Sequence, residues 1–238
     1  MKKGLYFFFN IRQFLTLVLV FILAFSITLA CKMATISTVS TLIDNSKTII
    51  VDAGHGGEDG GTQSSTGVLE KDINLAISFK VGTILRLMGY TVVYTRNDDT
   101  LQYGADATKQ RQKKVSDIHY RMNVIENYPD AVFLSIHQNY YPESKYYGSQ
   151  VFYSNNNETS KVIAESIQTD IRELLQNDNT RQIKPTGTDV YLLYHAKSPA
   201  VMVECGFMSN SGEALSLSDE VYQKKLSLAI VSGLEKYS

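Results

Sequence analysis

The sequence predicts an α/β domain, a single largely parallel or mixed central sheet of about six strands with helices on both faces, preceded by an N-terminal hydrophobic helix. Three observations carry this expectation. Short apolar runs bounded by Gly or polar clusters alternate with stretches of helical periodicity along most of the chain. A length of 238 residues, 44% hydrophobic and 20% charged, suits one core with a short appendage. The N-terminal segment differs sharply in composition from the remainder of the chain.

In that segment Lys2, Lys3 and Arg12 precede an apolar run from Phe14 to Ala30, interrupted by Thr16, Ser26 and Thr28. About seventeen residues make a helix of roughly 25 Å, enough to span a bilayer. Positive charge ahead of the run and little behind it predict export of the remainder. A retained anchor and a cleaved signal peptide share these ingredients, with Ala30 as a small residue after the apolar core. Cys31, behind Leu29 and Ala30, faintly resembles a lipoprotein signal, although Thr28 stands where Leu is usual. Residues 1–31 are thus read as signal peptide or membrane anchor, the Ser/Thr-rich 32–47 as a linker, and 48–238 as one folded domain.

The domain opens with Thr48–Val51, an apolar run ended by a Gly cluster, which reads as a buried strand. Ile73, Ala76, Ile77, Val81, Ile84, Leu85 and Met88 then recur at helical spacing, and Gly89 stands where a helix C-terminal glycine belongs. A second strand is expected at Tyr90–Thr95. Val115, Ile118, Met122 and Ile125 mark another helix, leading into a third strand at Ala131–Ile136 and a fourth at Gly148–Tyr153. Val162, Ile163, Ile167, Ile171 and Leu174 give a long helix. Further strands near Val190–Leu193 and Ala200–Cys205 precede a closing helix with Val221, Leu226, Ile230 and Leu234. Asn97–Lys114 is polar and patternless and reads as a mobile loop.

A formal net charge of -1 without a long basic run argues against nucleic acid as a partner. Cys31 and Cys205 are too few for a disulfide framework, and Cys205 reads as a small core residue.

In open α/β sheets the working groups collect beyond the carboxyl ends of strands. Asp52 and, three residues on, His55 end the first strand inside VDAGHGGEDGG; His137 ends the third in LSIHQN; Glu204 ends the sixth in VMVECGF. Glu70 opens the helix after the Gly loop, at the favourable end of its dipole. Two His and a carboxylate are a frequent ligand set for catalytic zinc, because three protein ligands leave a fourth position for water. A structural zinc site would normally be closed by four ligands, commonly with Cys. The spacing alone leaves other readings open, with His55 a loop residue and His137 a satisfied strand-end histidine. Gly56, Gly57, Gly60 and Gly61 lack the Lys and Ser/Thr of a P-loop, and turning the chain so that His55 and Glu70 converge is their plainer use.

From about Thr48 to Tyr237 the chain resembles the zinc-dependent N-acetylmuramoyl-L-alanine amidases (amidase type 3), most closely the germination-specific spore-cortex members. The matching stretches are VDAGHGGEDGG, EKDINL from Glu70, YTRNDD, SIHQN and VECGFMSN. The resemblance implies that His55, Glu70 and His137 bind one catalytic zinc ion and that Glu204 is the catalytic carboxylate. It further implies that 48–238 is the catalytic domain and that the amide joining muramic acid to L-alanine in peptidoglycan is the bond cut. Ala53 replaces the family's usual Pro between Asp and Gly, which relaxes the turn but removes no ligand. Spore-cortex maturation, where removal of the stem permits the muramic δ-lactam to form, is the implied setting. Control then falls to expression, membrane placement or an accessory protein.

Two alternatives stand beside this reading: another cell-wall zinc hydrolase, either peptidase or deacetylase, and a membrane-tethered wall-binding protein with an inactive site. Among other polar residues, Arg96 is expected to form a surface ion pair with Asp98 or Asp99 rather than to meet a substrate carboxylate. Arg121 is expected to be structural. Asn139 lies beside a proposed ligand and is a candidate to orient it or bind substrate. His119, on a helix, and His195, between late strands, are not expected to be ligands.

Overall fold

The computed structural model describes residues 10–42 and 47–237. Lys2, Lys3, residues 43–46 of the linker and the side chain of Cys31 lie outside the described residues. Contacts divide the chain into two compact units, Met1–Asp44 and Asn45–Ser238.

Among the described residues of the first unit one helix, α1 (Ile11–Leu42), contains an 18-residue stretch, Ile11–Thr28, of mean hydropathy 2.1. At 1.5 Å per residue that stretch rises about 27 Å, long and apolar enough to cross a membrane. The helix continues through Met33–Leu42, the part read as the beginning of the linker.

The second unit is built on a six-stranded sheet. Its elements in chain order are β1 (Thr48–Ala53), α2 (Glu70–Leu87), β2 (Thr91–Tyr94), α3 (Gln110–Asn127), β3 (Val132–Asn139), β4 (Gln150–Tyr153), α4 (Glu158–Leu174), β5 (Lys184–Pro185), α5 (Tyr191–His195), β6 (Ala200–Phe207), α6 (Ser211–Ser218) and α7 (Glu220–Glu235). The strands lie in the order β2-β1-β3-β6-β4-β5. All neighbours are parallel except β4 and β6, so the expected mixed sheet is present.

Alternation along each strand sorts its side chains onto two faces. Ile49, Val51, Leu134, Ile136, Val201 and Val203 turn to one face and pack with α2, α4 and α7. Each fully buried Ile, Leu or Val there is worth about 1.5–3 kcal/mol. Ile50, Phe133 and Met202 turn to the other, against Met122 and Ile125 of α3 and Leu193 of α5. Cys205 is free and wholly buried, as read from the sequence, and burial pushes its thiol well above the ordinary range.

Two readings are corrected. Val190–Leu193 is not a strand: Tyr191–His195 forms the short helix α5, and the preceding strand is the two-residue β5. The apolar run is short because one turn of helix needs only one buried side chain, Leu193, and a run of that length fits either period. Asn97–Lys114 is not loop throughout, because α3 begins at Gln110 with a mean hydropathy too low to show an apolar face there. At its N-terminus the Gln112 side chain reaches back, Oε1 accepting the Lys109 N–H at 3.0 Å. The closing helix is present as α7, which carries Val221, Leu226, Ile230 and Leu234 and is capped by Asp219; a short helix not read from the sequence, α6, capped by Asn210, precedes it.

Candidate metal and active site

The loop after β1 carries the first group. His55 sits at φ 61°, a left-handed conformation uncommon for a side chain with a Cβ. Two buried arginines hold the carbonyls around it. Arg121 donates from Nη1 to the Ala53 carbonyl and from Nη2 to the His55 carbonyl, each at 2.8 Å. Arg96 donates from Nε to Ala53 O at 2.8 Å and from Nη2 to Gly54 O at 3.2 Å and Lys71 O at 2.8 Å. This overturns the surface ion pair expected of Arg96: its guanidinium lies inside, and it takes the main-chain carbonyl of Asp98 at 2.8 Å. Arg121 is structural as expected, and anchored in turn by Asp52 and Asp117 at 2.5 and 2.7 Å.

So held, His55 meets Glu70 and His137. Glu70 Oε1 lies 3.2 Å from His55 Nε2 and 3.0 Å from His137 Nδ1, and the three ligand-type atoms all fall within 4.8 Å of one another. Convergence this close needs glycine at two places. A Cβ on Gly54 would stand 2.2 Å from His137 Nε2, and one on Gly61 would stand 2.5 Å from Glu70 Oε2. Glu70 Oε2 is fixed by the Thr62 N–H at 2.8 Å, and Oε1 also accepts from the Gln138 N–H at 3.1 Å.

Burial works against ionisation of Glu70, but the hydrogen bonds and charge of His137 and His55 overcome it and hold its carboxyl far below the ordinary range. For His55 burial is likewise outweighed, by hydrogen bonds to Asp59 and Glu70, and its pKa rises to about 9. Asp59 is a neighbour of the candidate ligand His55 that sequence reasoning missed. Its Oδ2 lies 2.9 Å from His55 Nδ1, leaving Nε2 to face Glu70. The signal was available as a carboxylate four residues beyond a candidate ligand histidine.

Glu204 reaches the same place by strand register. His137 of β3 pairs with Glu204 of β6 in the parallel ladder, so both side chains leave the same face side by side. A β-bulge follows immediately, between His137 and Asn139. Burial pushes the Glu204 carboxyl up to about 7, with His137 lowering it and Glu70 raising it. Its Oε2 is enclosed and has no hydrogen-bond partner among the described residues. Beyond the bulge, Asn139 gives its carbonyl to the Met208 N–H at 2.8 Å.

His55, Asp59, His137 and Glu204 line a cleft of about 370 Å³, which Val190, Tyr191 and Leu192, from the segment misread as a strand, also line. His119 and His195 pack around Tyr191, their ring centroids 5.8 and 4.3 Å from it. A chemically polar floor, an apolar wall and an unpartnered carboxylate beside two imidazoles make a site equipped to hold a cation and move a proton.

The geometry agrees with what the chain is similar to. The profile of the N-acetylmuramoyl-L-alanine amidase family matches residues 49–236. A germination-specific N-acetylmuramoyl-L-alanine amidase of Bacillus subtilis is 33% identical over 192 residues, covering 80% of this chain and 79% of the relative. The amidase LytC of the same organism is 32% identical over 193 residues, 80% of this chain but 35% of LytC. Among solved structures, the CwlD amidase of Clostridioides difficile, determined in complex with the GerS lipoprotein, superposes with a TM-score of 0.77 at 41% identity, covering 80% of this chain and 98% of that one. With the sheet, the cleft and the sequence all agreeing over the same span, the chain belongs to the N-acetylmuramoyl-L-alanine amidase family.

Proposed function

We propose that this amidase hydrolyses the muramoyl–L-alanine bond with one zinc ion held by His55, Glu70 and His137, with Glu204 as the catalytic carboxylate, and that it does so outside the membrane during spore-cortex maturation. The observation that carries the reading is the convergence of the three ligand-type atoms within 4.8 Å beside an unpartnered carboxylate oxygen.

The donor set fits zinc. Two imidazole nitrogens and a carboxylate oxygen are donors that zinc takes, and the three atoms fall within 4.8 Å of one another. The electrostatics fit as well: the carboxylates of Glu70 and Asp59 draw protons onto His55, and a divalent cation takes their place. When bound, zinc supplies a hydroxide nucleophile near neutral pH and polarises the carbonyl under attack.

The chain's own residues supply the rest. Asp59 and the Arg121 and Arg96 contacts keep His55 in one orientation. An amide has a poor leaving group, so a proton must reach its nitrogen. Glu204, next to His137, takes a proton from the attacking water and delivers it to that nitrogen. A carboxyl whose pKa lies near 7 is suited to both transfers. The products are a free lactyl carboxyl on the muramic acid and a stem peptide beginning with L-alanine.

Placement outside the membrane rests on the apolar stretch Ile11–Thr28 with basic residues ahead of it. The cortex role and control by an accessory protein rest on the germination-specific relative and on the GerS complex of the CwlD amidase.

Glu204→Gln tests the central claim. It is expected to retain zinc by elemental analysis and to lose at least about 100-fold in turnover; turnover at the wild-type rate would remove Glu204 from the mechanism. Mass analysis of digested peptidoglycan separates an amidase, which releases intact stems, from a peptidase or deacetylase. Spores lacking the protein are expected to lack muramic δ-lactam.

A further inference from the structure

Glu204 has a second cross-strand neighbour, on the side away from His137. It pairs with Gln150 of the antiparallel strand β4, so His137, Glu204 and Gln150 leave one face of the sheet in a row. With neighbouring strands about 4.8 Å apart, the row from His137 to Gln150 spans roughly 10 Å. Arg181 closes it. Its Nη2 donates to Gln150 Oε1, and its guanidinium lies over Phe207, 4.9 Å from the ring centroid.

No carboxylate among the described residues is in direct contact with this cation. Arg181 makes no ion pair there, and its Nε is buried without a partner. The neighbouring acid Glu213 is occupied elsewhere, Oε1 accepting the Gly148 N–H at 2.9 Å and Oε2 the Phe207 N–H at 2.8 Å. Arg181 is partly desolvated, which disfavours its charged form, with Glu213 and Glu204 acting in the opposite sense from a distance. A half-buried guanidinium with open donors and a fixed plane is matched to a carboxylate, which it binds through two parallel N–H bonds.

We propose that Arg181 is the receptor for a substrate carboxylate on the peptide side of the scissile bond, so that the stem peptide lies across β6 and β4. This rests on the amidase reading of the site. The residue after L-alanine in the stem is an isoglutamyl unit whose α-carboxylate is either free or amidated. Two extended residues span about 7 Å. That length carries the chain from an amide beside His137 and Glu204 to a fork leaning on Gln150.

The test uses the full chain, zinc-loaded, in detergent micelles, with two matched glycan-linked peptides, each continued as an amide through the γ-carboxyl of its second residue, that differ only in whether the α-carboxyl of that D-glutamyl residue is free or amidated. Wild type is expected to favour the free carboxylate by about 10- to 100-fold in kcat/KM, mainly through KM. Arg181→Gln is expected to lose that factor on the carboxylate substrate alone, and Arg181→Lys to recover part of it. Zinc content measured alongside should be the same in all three. Equal use of both substrates by wild type overturns the proposal even if no variant folds. An equal loss on both substrates in Arg181→Gln also overturns it, leaving Arg181 as a support for Gln150. If wild type releases stem peptide from neither substrate, the amidase reading itself fails and this inference goes with it.

Discussion

Replacing Asp52 with Asn tests the buried network beneath the His55 loop. Asp52 is 1% exposed, and Oδ1 accepts from Thr95 Oγ1 at 2.6 Å and from Arg121 Nη1 at 2.5 Å, while Oδ2 accepts from Ser135 Oγ at 2.6 Å. Burial would raise its pKa, but the Arg121 charge and the two hydroxyls outweigh that and hold it at about 2, against 3.8 for an ordinary Asp. Asn keeps the shape and loses the charge. The interval between those two values corresponds to about 2 kcal/mol at neutral pH. The sign is set by the direction: a depressed carboxyl stabilises above its unfolded pKa and loses that contribution as pH falls through the folded one. The stability gap between wild type and Asp52→Asn is therefore expected to be about 2 kcal/mol at neutral pH. It should shrink by about 1 kcal/mol between roughly pH 4.5 and pH 3. Urea titration followed by circular dichroism reads the gap, with chelator present so that zinc release does not enter. A gap that stays constant across that window would show that the Asp52 charge is not what Arg121 needs.

The ligand geometry sets two further outcomes. Asp59→Ala removes the partner of His55 Nδ1 and is expected to weaken zinc binding about 10- to 100-fold in a chelator competition, with the fold intact by circular dichroism. Gly54→Ala places a methyl 2.2 Å from His137 Nε2, so the ring must move; zinc binding should be lost, at a stability cost of about 1–3 kcal/mol.

The sequence is legible where its signals are local. Strands such as Val132–Asn139 and Ala200–Phe207, buried on both faces, show as continuous apolar runs, and α2 and α4 show as helical periodicity. Those strand ends located His137 and Glu204, and their pairing is the register itself. The role of Arg96 was not legible, and Arg121 was read as structural without its partners. Each works by reaching backbone carbonyls more than forty positions away in sequence, and no local pattern encodes a hydrogen bond to a peptide group. The misreading of Val190–Leu193 has the same origin, because β-propensity there is overridden by packing of Leu193 under β3 and β6.

The proposed site divides between a rigid part and a supported part. His137 and Glu204 are neighbours because two central strands are in register, so their separation is set by the same ladder that holds the core. His55 instead depends on a left-handed turn that costs of order 1 kcal/mol or more. That conformation persists because charged donors over-determine it, with Arg121 on the carbonyl of residue 55 and Arg96 on those of 53 and 54. Damage to this support should therefore reach metal affinity first and leave the carboxylate's position unchanged. Asp59→Ala, its activity restored by excess zinc, would keep the pH profile set by Glu204, whereas Glu204→Gln would gain nothing from any amount of metal.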